Sequence, residues 1–391
     1  MIDWADLSRK NDRLGAFVDF DEAARFGRGP LDDLTVGIKA NIAVRGLPWT
    51  AGMGLRRSRI AQSDALVVAA LRDAGAAIIG TLNMHEAALG ATTDNAFFGR
   101  THNPHRHGFT PGGSSGGSGA AVAAGLCDVA LGTDTLGSIR IPAAYNGVYG
   151  LKPTLGDVSD AGVVPLGQAL DVVGPLARSV ETIARVWAVI GRPIGDTKPL
   201  TRVLILEGLG RVDLSPAVQA AYDRARRAVG AAEAIRLADA PTTIRLAALA
   251  KVGRELSAEL GAATIADPTL VSDELRSVLG ALERLAPAPD VLARTRETLL
   301  EALGPHGVLL LPTAPQSAFA HGGRPPVNQA DLTSLASVAG LPAIALPAGL
   351  DENSMPVGVQ LVGPRHSEAA LIDLARVLDR ALGGYVPPPA C

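Results

Sequence analysis

Aromatic residues make up only 4% of this 391-residue chain, and cysteine occurs just twice, at Cys127 and Cys391. Two cysteines in so long a chain exclude a disulfide-built fold. Basic runs are missing as well. The 36 Lys and Arg stand against 39 Asp and Glu, a net charge of −3, so no nucleic-acid partner is expected. Apolar runs such as Val308–Pro312 are far too short to span a bilayer, which excludes a membrane role of that kind. The first residues, MIDWADLSRKNDR, lack the apolar core of a secretory signal, and a cytoplasmic setting is the expectation. Few aromatics also argue against a pocket built for a large flat ring.

Apolar residues are plentiful, at 47%, enough for a globular core. Helical segments closed by glycine and followed by short apolar strands recur at Ala65–Gly80 and Ala120–Leu131. That alternation predicts an α/β fold with a mixed, mostly parallel central sheet flanked by helices. No repeat or low-complexity linker divides the chain, so residues 1–391 read as one domain. From Thr201 the composition turns rich in Ala, Leu and Arg, and 200–305 reads as a short, mainly helical cover. Ser215–Pro216 marks a helix start there, and Glu368–Leu382 reads as a closing amphipathic helix.

Chemistry concentrates between Thr110 and Lys152. Ser114 and Ser115 lie between the glycine pairs Gly112–Gly113 and Gly116–Gly117, and Ser138 ends a Gly-Thr-Asp-Thr-Leu-Gly-Ser loop. A small-residue helix and an apolar strand join the two turns, so both could converge on one point. Three readings compete. A nucleophile elbow matches G-x-S-x-G but needs a strand directly before the serine and a later histidine; NPHRHGFTP is a loop, and only His306, His321 and His366 follow Ser138. A phosphate cradle needs a closing Gly-Lys-Ser/Thr, which neither loop has. The third reading replaces histidine with lysine. Serine must hand its proton to a base, and lysine serves only when neutral, so its pKa must fall well below about 10.4. Desolvation at the end of a buried strand pushes it that way. Lys39, ending LTVGIK, is the one lysine read in such a setting, and a serine hydroxyl, which both donates and accepts, can bridge it to the nucleophile. His102, His105 and His107 sit in a Pro- and Gly-rich loop without cysteine or carboxylate company, and no metal is expected there.

GGSSGGSGAAVAAG, then GTDTLGSIRIPAAYNGVYGLKPT, with GIKANI upstream, resemble the amidase signature family of amide hydrolases. TAGM, GTLNMHE, VVPLGQALDVVGPLARSVETIA, GLPAIALP and PVGVQLVG extend the resemblance over residues 14–190 and 305–380. It implies the family's fold and a Ser-Ser-Lys triad: Lys39 as general base, Ser114 as the bridging serine after a cis Gly113–Ser114 bond, and Ser138 as nucleophile. By the same carry-over the backbone N–H groups of Thr135, Leu136, Gly137 and Ser138 line an oxyanion hole. Asp134 and Arg140 hold the loop, and Ser115 supports it. Met84, His85, Glu86, Tyr145 and the loop Thr313–His321 are pocket candidates by analogy. Departures are Leu136 where glycine is commoner, Lys-Ala-Asn in place of Lys-Asp-Asn, Asn146 in place of cysteine, and the short 200–305 region. The expected activity is hydrolysis of a small linear amide to acid and amine through an acyl-enzyme. It needs no metal or organic cofactor, and homodimerisation is expected by analogy. The alternative is an ammonia-releasing amidotransferase subunit working in a complex.

Overall fold

Thirteen strands form in the computed structural model, which describes residues 2–192 and 198–389; Cys391 lies outside them. They are β1 (Phe17–Phe20), β2 (Thr35–Lys39), β3 (Ala77–Leu82), β4 (Asp94–Asn95), β5 (Gly99–Arg100), β6 (Val129–Asp134) and β7 (Tyr149–Lys152). Then follow β8 (Val172–Ala177), β9 (Arg202–Leu206), β10 (Glu233–Ile235), β11 (Gly307–Pro312), β12 (Ala343–Leu350) and β13 (Pro356–Val362). Eleven of them pair into one sheet in the order β1-β3-β2-β6-β8-β7-β12-β13-β11-β9-β10, and β4–β5 stand apart. β3, β6, β8, β11 and β13 are buried at every residue. Their near-continuous apolar sequence fits a sheet covered by helices on both faces.

The α/β expectation holds and the mixed sheet is as expected, but the parallel majority is not. Six pairings are antiparallel, against four that are parallel. Helical crossovers were legible at one end, where Leu66–Asp73 leads from β2 to β3 and Gly116–Ala123 precedes β6, and there the strands are parallel. The centre is built differently. β12 turns directly into β13 through residues 351–355, where the Asp351 carboxylate accepts from the N–H groups of Asn353 and Met355 at 2.8 Å. A tight turn returns the chain antiparallel. The stretch 200–305 also does more than cover: β9 and β10 extend the sheet, while Pro216–Val229, Pro241–Leu260, Asp273–Glu283 and Pro289–Leu303 are its long helices.

Packing at the site's end of the sheet depends on small residues. The helix Gly116–Ala123 is buried throughout, and a Cβ at Gly117 would lie 2.4 Å from the Asn83 carbonyl oxygen. Only glycine lets the helix sit so near β3. The loop after β6 is fixed by charge instead. Arg140 and Asp134 are both fully buried, and the guanidinium meets both carboxylate oxygens at 2.9 Å. It also donates to Gln360 on β13 at 2.8 Å and to Ser337 at 3.0 Å. Removing one partner of such a buried pair strands the other charge. Arg140→Ala is therefore expected to cost about 3–5 kcal/mol, read as a fall in the urea or thermal unfolding midpoint.

Candidate active site

β3, β2 and β6 run parallel, so their C-terminal ends meet at one edge, the usual place for a ligand site in such sheets. Lys39 ends β2 and Asp134 ends β6. The register sets Ile38 opposite Leu131, which brings the Lys39 amine beside Thr133. Lys39 has no exposed surface. Its Nζ donates to Ser114 Oγ and to Thr133 Oγ1, each at 2.8 Å. Asn41 also donates to Thr133, at 3.2 Å. Burial lowers the Lys39 amine from 10.5 to about 7, although the charges of Asp171 and Asp134 pull it back up. Desolvation wins.

Ser114 follows a cis Gly113–Ser114 bond, as the resemblance implied. Ser115 sits at the N-cap of Gly116–Ala123 without capping it: its Oγ donates to the Thr133 carbonyl at 3.2 Å and its N–H to the Ser138 carbonyl at 3.3 Å. Ser138 is half-buried and faces a cavity of about 310 Å³. The link from Lys39 to Ser114 is formed. Among the described residues no hydrogen bond joins Ser114 to Ser138, and catalytic hydrogen bonds often tighten only once substrate is bound.

The loop carrying Ser138 is held from three sides. Thr135 Oγ1 donates to Asp171 at 2.5 Å, and Asp171 also accepts from the Leu166 and Gly167 N–H groups at 2.7 and 3.0 Å. Thr333 Oγ1 donates to the Leu136 carbonyl at 2.6 Å. Asp134 accepts from Gly137 N–H at 2.7 Å and Ile139 N–H at 3.2 Å. Gly137 adopts φ +136°, and a Cβ there would lie 2.3 Å from Thr333 Oγ1. This fold-back removes the Gly137 N–H from the expected oxyanion set. The N–H groups of Thr135, Leu136 and Ser138 have no partner among the described residues. Burial alone would raise the Asp134 carboxyl, but the Arg140 guanidinium overrides it and holds it low; Asp171 is raised by burial against its hydrogen bonds.

Leu136, Ile141, Leu249 and Val252 give the cavity apolar walls. Of the pocket candidates only His85 reaches it, with Nδ1 at 3.2 Å from Thr92 and Nε2 at 3.5 Å from Glu274. Met84, Glu86, Tyr145 and the loop Thr313–His321 do not line it. His85 is extended (φ −65°, ψ 141°), so its neighbours point the other way. Glu86 instead holds Ser272, and Tyr145 is one layer back, donating to Gln329 at 3.2 Å. Lys39 is also not alone. Lys152, fully buried at the end of β7, is lowered by burial to about 7, but it donates only to the Pro153 and Leu341 carbonyls at 2.8 Å and is not in the cavity wall. His306, His321 and His366 are bonded to Pro199, Thr101 and Asp157 and none lines the cavity, so the elbow reading has no histidine base among them. Among the described residues no group of three His, Cys, Asp or Glu could hold a metal. Thr133, Asn41, Asp171, Thr333, Arg245 and Glu274 are site residues that sequence reading missed.

The family model Amidase matches residues 16–264 and 283–372. The chain belongs to this family. It is 33% identical to a glutamyl-tRNA(Gln) amidotransferase subunit of Methanospirillum hungatei over 93% of this chain and 96% of that protein. It is 34% identical to AtzE, a 1-carboxybiuret hydrolase subunit of a Pseudomonas species, over 89% of this chain and 84% of that one. Among solved structures, the corresponding glutamyl-tRNA(Gln) amidotransferase subunit from Thermotoga maritima superposes with a TM-score of 0.86 at 26% identity, covering 99% of this chain and 93% of that one. Membership supports amide C–N chemistry, hydrolytic or amidotransferase. The geometry of Lys39 has a direct check. A lysine side-chain NMR titration should show two midpoints depressed to about 7, and Lys39→Met should remove one of them.

Proposed function

We propose that the chain hydrolyses the C–N bond of a small linear amide, with Lys39 as base, Ser114 as relay and Ser138 as nucleophile. The observation that carries this reading is the 2.8 Å contact between the buried Lys39 amine and Ser114 Oγ, beside a Ser138 that opens into a small cavity. A neutral amine can accept a proton where an ammonium cannot. Lys39 takes the proton of Ser114 as Ser114 takes that of Ser138, and Ser138 Oγ attacks the amide carbon. The oxyanion that forms is stabilised by the N–H groups of Thr135, Leu136 and Ser138. As the tetrahedral adduct collapses, the relay returns the proton to the departing nitrogen, which leaves as ammonia or amine. Water then gives its proton to the same relay and attacks the acyl-Ser138 carbon. The acid leaves and Ser138 regains its hydrogen. The scheme calls on no metal or organic cofactor.

A second reading has specific support. Relatives named as subunits of glutamyl-tRNA(Gln) amidotransferase align over 93% of this chain, so the same site would release ammonia for a partner enzyme. Ammonia release by the purified chain favours the free hydrolase; release only with a partner favours the amidotransferase.

Ser138→Ala should abolish turnover and covalent labelling by serine-directed acylating reagents, and Lys39→Ala should lower kcat by at least about 10³-fold. Near-normal activity of either variant with an intact fold sinks the mechanism. The pH profile has a definite sign. The active form carries neutral Lys39, so kcat/KM should rise with pH through a midpoint near 7 and fall away below it. A profile flat from pH 6 to 8 would contradict that role.

A further inference from the structure

Beside the cavity at Ser138 is a second one, of about 260 Å³, and Ala88 is the lining residue the two share. The second wall holds two buried polar atoms that have no partner among the described residues, Asn41 Oδ1 and Arg56 Nη2. Buried polar atoms in folded chains are nearly always paired, so each calls for an occupant of the cavity. Asn41 is 2% exposed, and its Nδ2 is spent on the Thr133 hydroxyl and the Val164 carbonyl, each at 3.2 Å. A carbonyl only accepts, so Val164 fixes the amide orientation and leaves Oδ1 as a free acceptor. Arg56 donates from Nε to the Trp49 carbonyl at 3.3 Å, and its guanidinium lies 4.7 Å over the Trp49 ring. The Trp49 indole N–H donates in turn to the Asn41 carbonyl at 2.9 Å. Both residues therefore flank one tryptophan, within reach of a single small molecule.

We propose that this cavity is a second binding site, apart from the site of hydrolysis, for a small uncharged primary amide. The amide C=O accepts from Arg56 Nη2, and its N–H donates to Asn41 Oδ1. The wall decides the charge. A cation would meet the guanidinium groups of Arg56 and Arg59, which lie over the same ring at 4.7 and 5.1 Å. An anion would set its oxygens against Asn41 Oδ1, itself an acceptor. It would also share the wall with Glu259, whose charge already acts on Arg56 through space. A neutral group with a donor and an acceptor side by side on one carbon satisfies both free atoms. Met53, Leu256 and Leu260 give the remaining wall an apolar surface for a short alkyl tail. The backbone is shaped around the same space. Three of the six non-glycine residues at positive φ, Ala51, Ala87 and Ala88 (51°, 51° and 59°), line it. Conformations of this kind gather at ligand clamps and active sites. Asn41 and the Lys39 amine meet on one hydroxyl, that of Thr133, so a chain of hydrogen bonds runs from the occupant to the amine.

The test follows the Trp49 indole N–H signal by NMR, identified by its loss in Trp49→Phe, in the Ser138→Ala chain so that nothing is turned over. Propionamide should shift that signal saturably, while propionate and 1-propanol, of similar size, should not. Arg56→Met removes the donor and should weaken the response at least about 10-fold. Leu260→Phe fills the cavity from the end of the Pro241–Leu260 helix and should abolish it without touching Arg56. Leu249→Trp crowds the catalytic cavity from its own wall and should leave the response in place. Its loss there would put the amide at the catalytic serine and reject the second site. An unshifted Trp49 signal means that the cavity holds solvent only and overturns the proposal. An equal response to propionate or 1-propanol overturns it as well, by removing the amide class. The proposal stands apart from the amidase reading: saturable binding at Trp49 supports it whether or not the wild-type chain hydrolyses any amide.

Discussion

The amine of Lys39 is stripped of water, and the arrangement of the site follows from keeping it so. Burial is the largest influence on its pKa, and the two nearby carboxylates, Asp171 and Asp134, oppose it. If either paired with Lys39 directly, the proton would stay on the amine. Neither does. Asp134 is spent on Arg140 and two loop N–H groups, and Asp171 on Thr135 and the N–H groups of Leu166 and Gly167. Lys39 is left with hydroxyls, Ser114 and Thr133, which can give as well as take a proton. The carboxylates serve as anchors for the loop, and their charges reach the amine only through space.

Those anchors tie distant parts of the chain together. Arg140 reaches Gln360, 220 positions later, and Ser337, 197 positions later. Thr333 holds the Leu136 carbonyl across 197 positions, and Arg245 is fixed by Asp331. In the proposed mechanism the glycine- and serine-rich stretch supplies the reactive groups; the second half of the chain supplies contacts that clamp the loop and part of the cavity wall. A loop that presents backbone N–H groups to a developing charge has to be rigid beforehand, since reorganisation during reaction would cancel the gain. The buried Arg140 network supplies that rigidity where a loop of glycine, serine and threonine alone would not.

Legibility followed sequence distance. Lys39 at a strand end, the helix start at Ser215–Pro216 and the Glu368–Leu382 helix were readable because each signal is local. The helix Trp4–Leu14 was passed over although Asp3 caps it and Gly15 ends it in the left-handed conformation, because mean polarity hid its one apolar face. Strand direction in the centre of the sheet was misjudged because crossovers leave a helical signature and a turn like that at Asp351 leaves almost none. Met84 and Glu86 were included through a matching motif, yet alternation along an extended segment turns them away from His85. Thr133 and Asp171 act through spatial neighbours, and Arg245 through a partner 86 positions away, so no pattern in their own surroundings marks them. Ser138 and Gly137 look alike as members of one motif; only the φ of +136° shows that the Gly137 N–H is turned to Asp134.

The hydrolase and the amidotransferase readings diverge outside the relay. Up to the acyl-enzyme both call for the same base, the same serines and the same loop, so the triad geometry cannot separate them. What differs is the fate of the released nitrogen, which is decided by surfaces beyond the cavity. In the proposed mechanism β2, β6 and the serine turns carry the reaction, while Arg245, Leu249 and Val252, after residue 200, form part of the cavity wall.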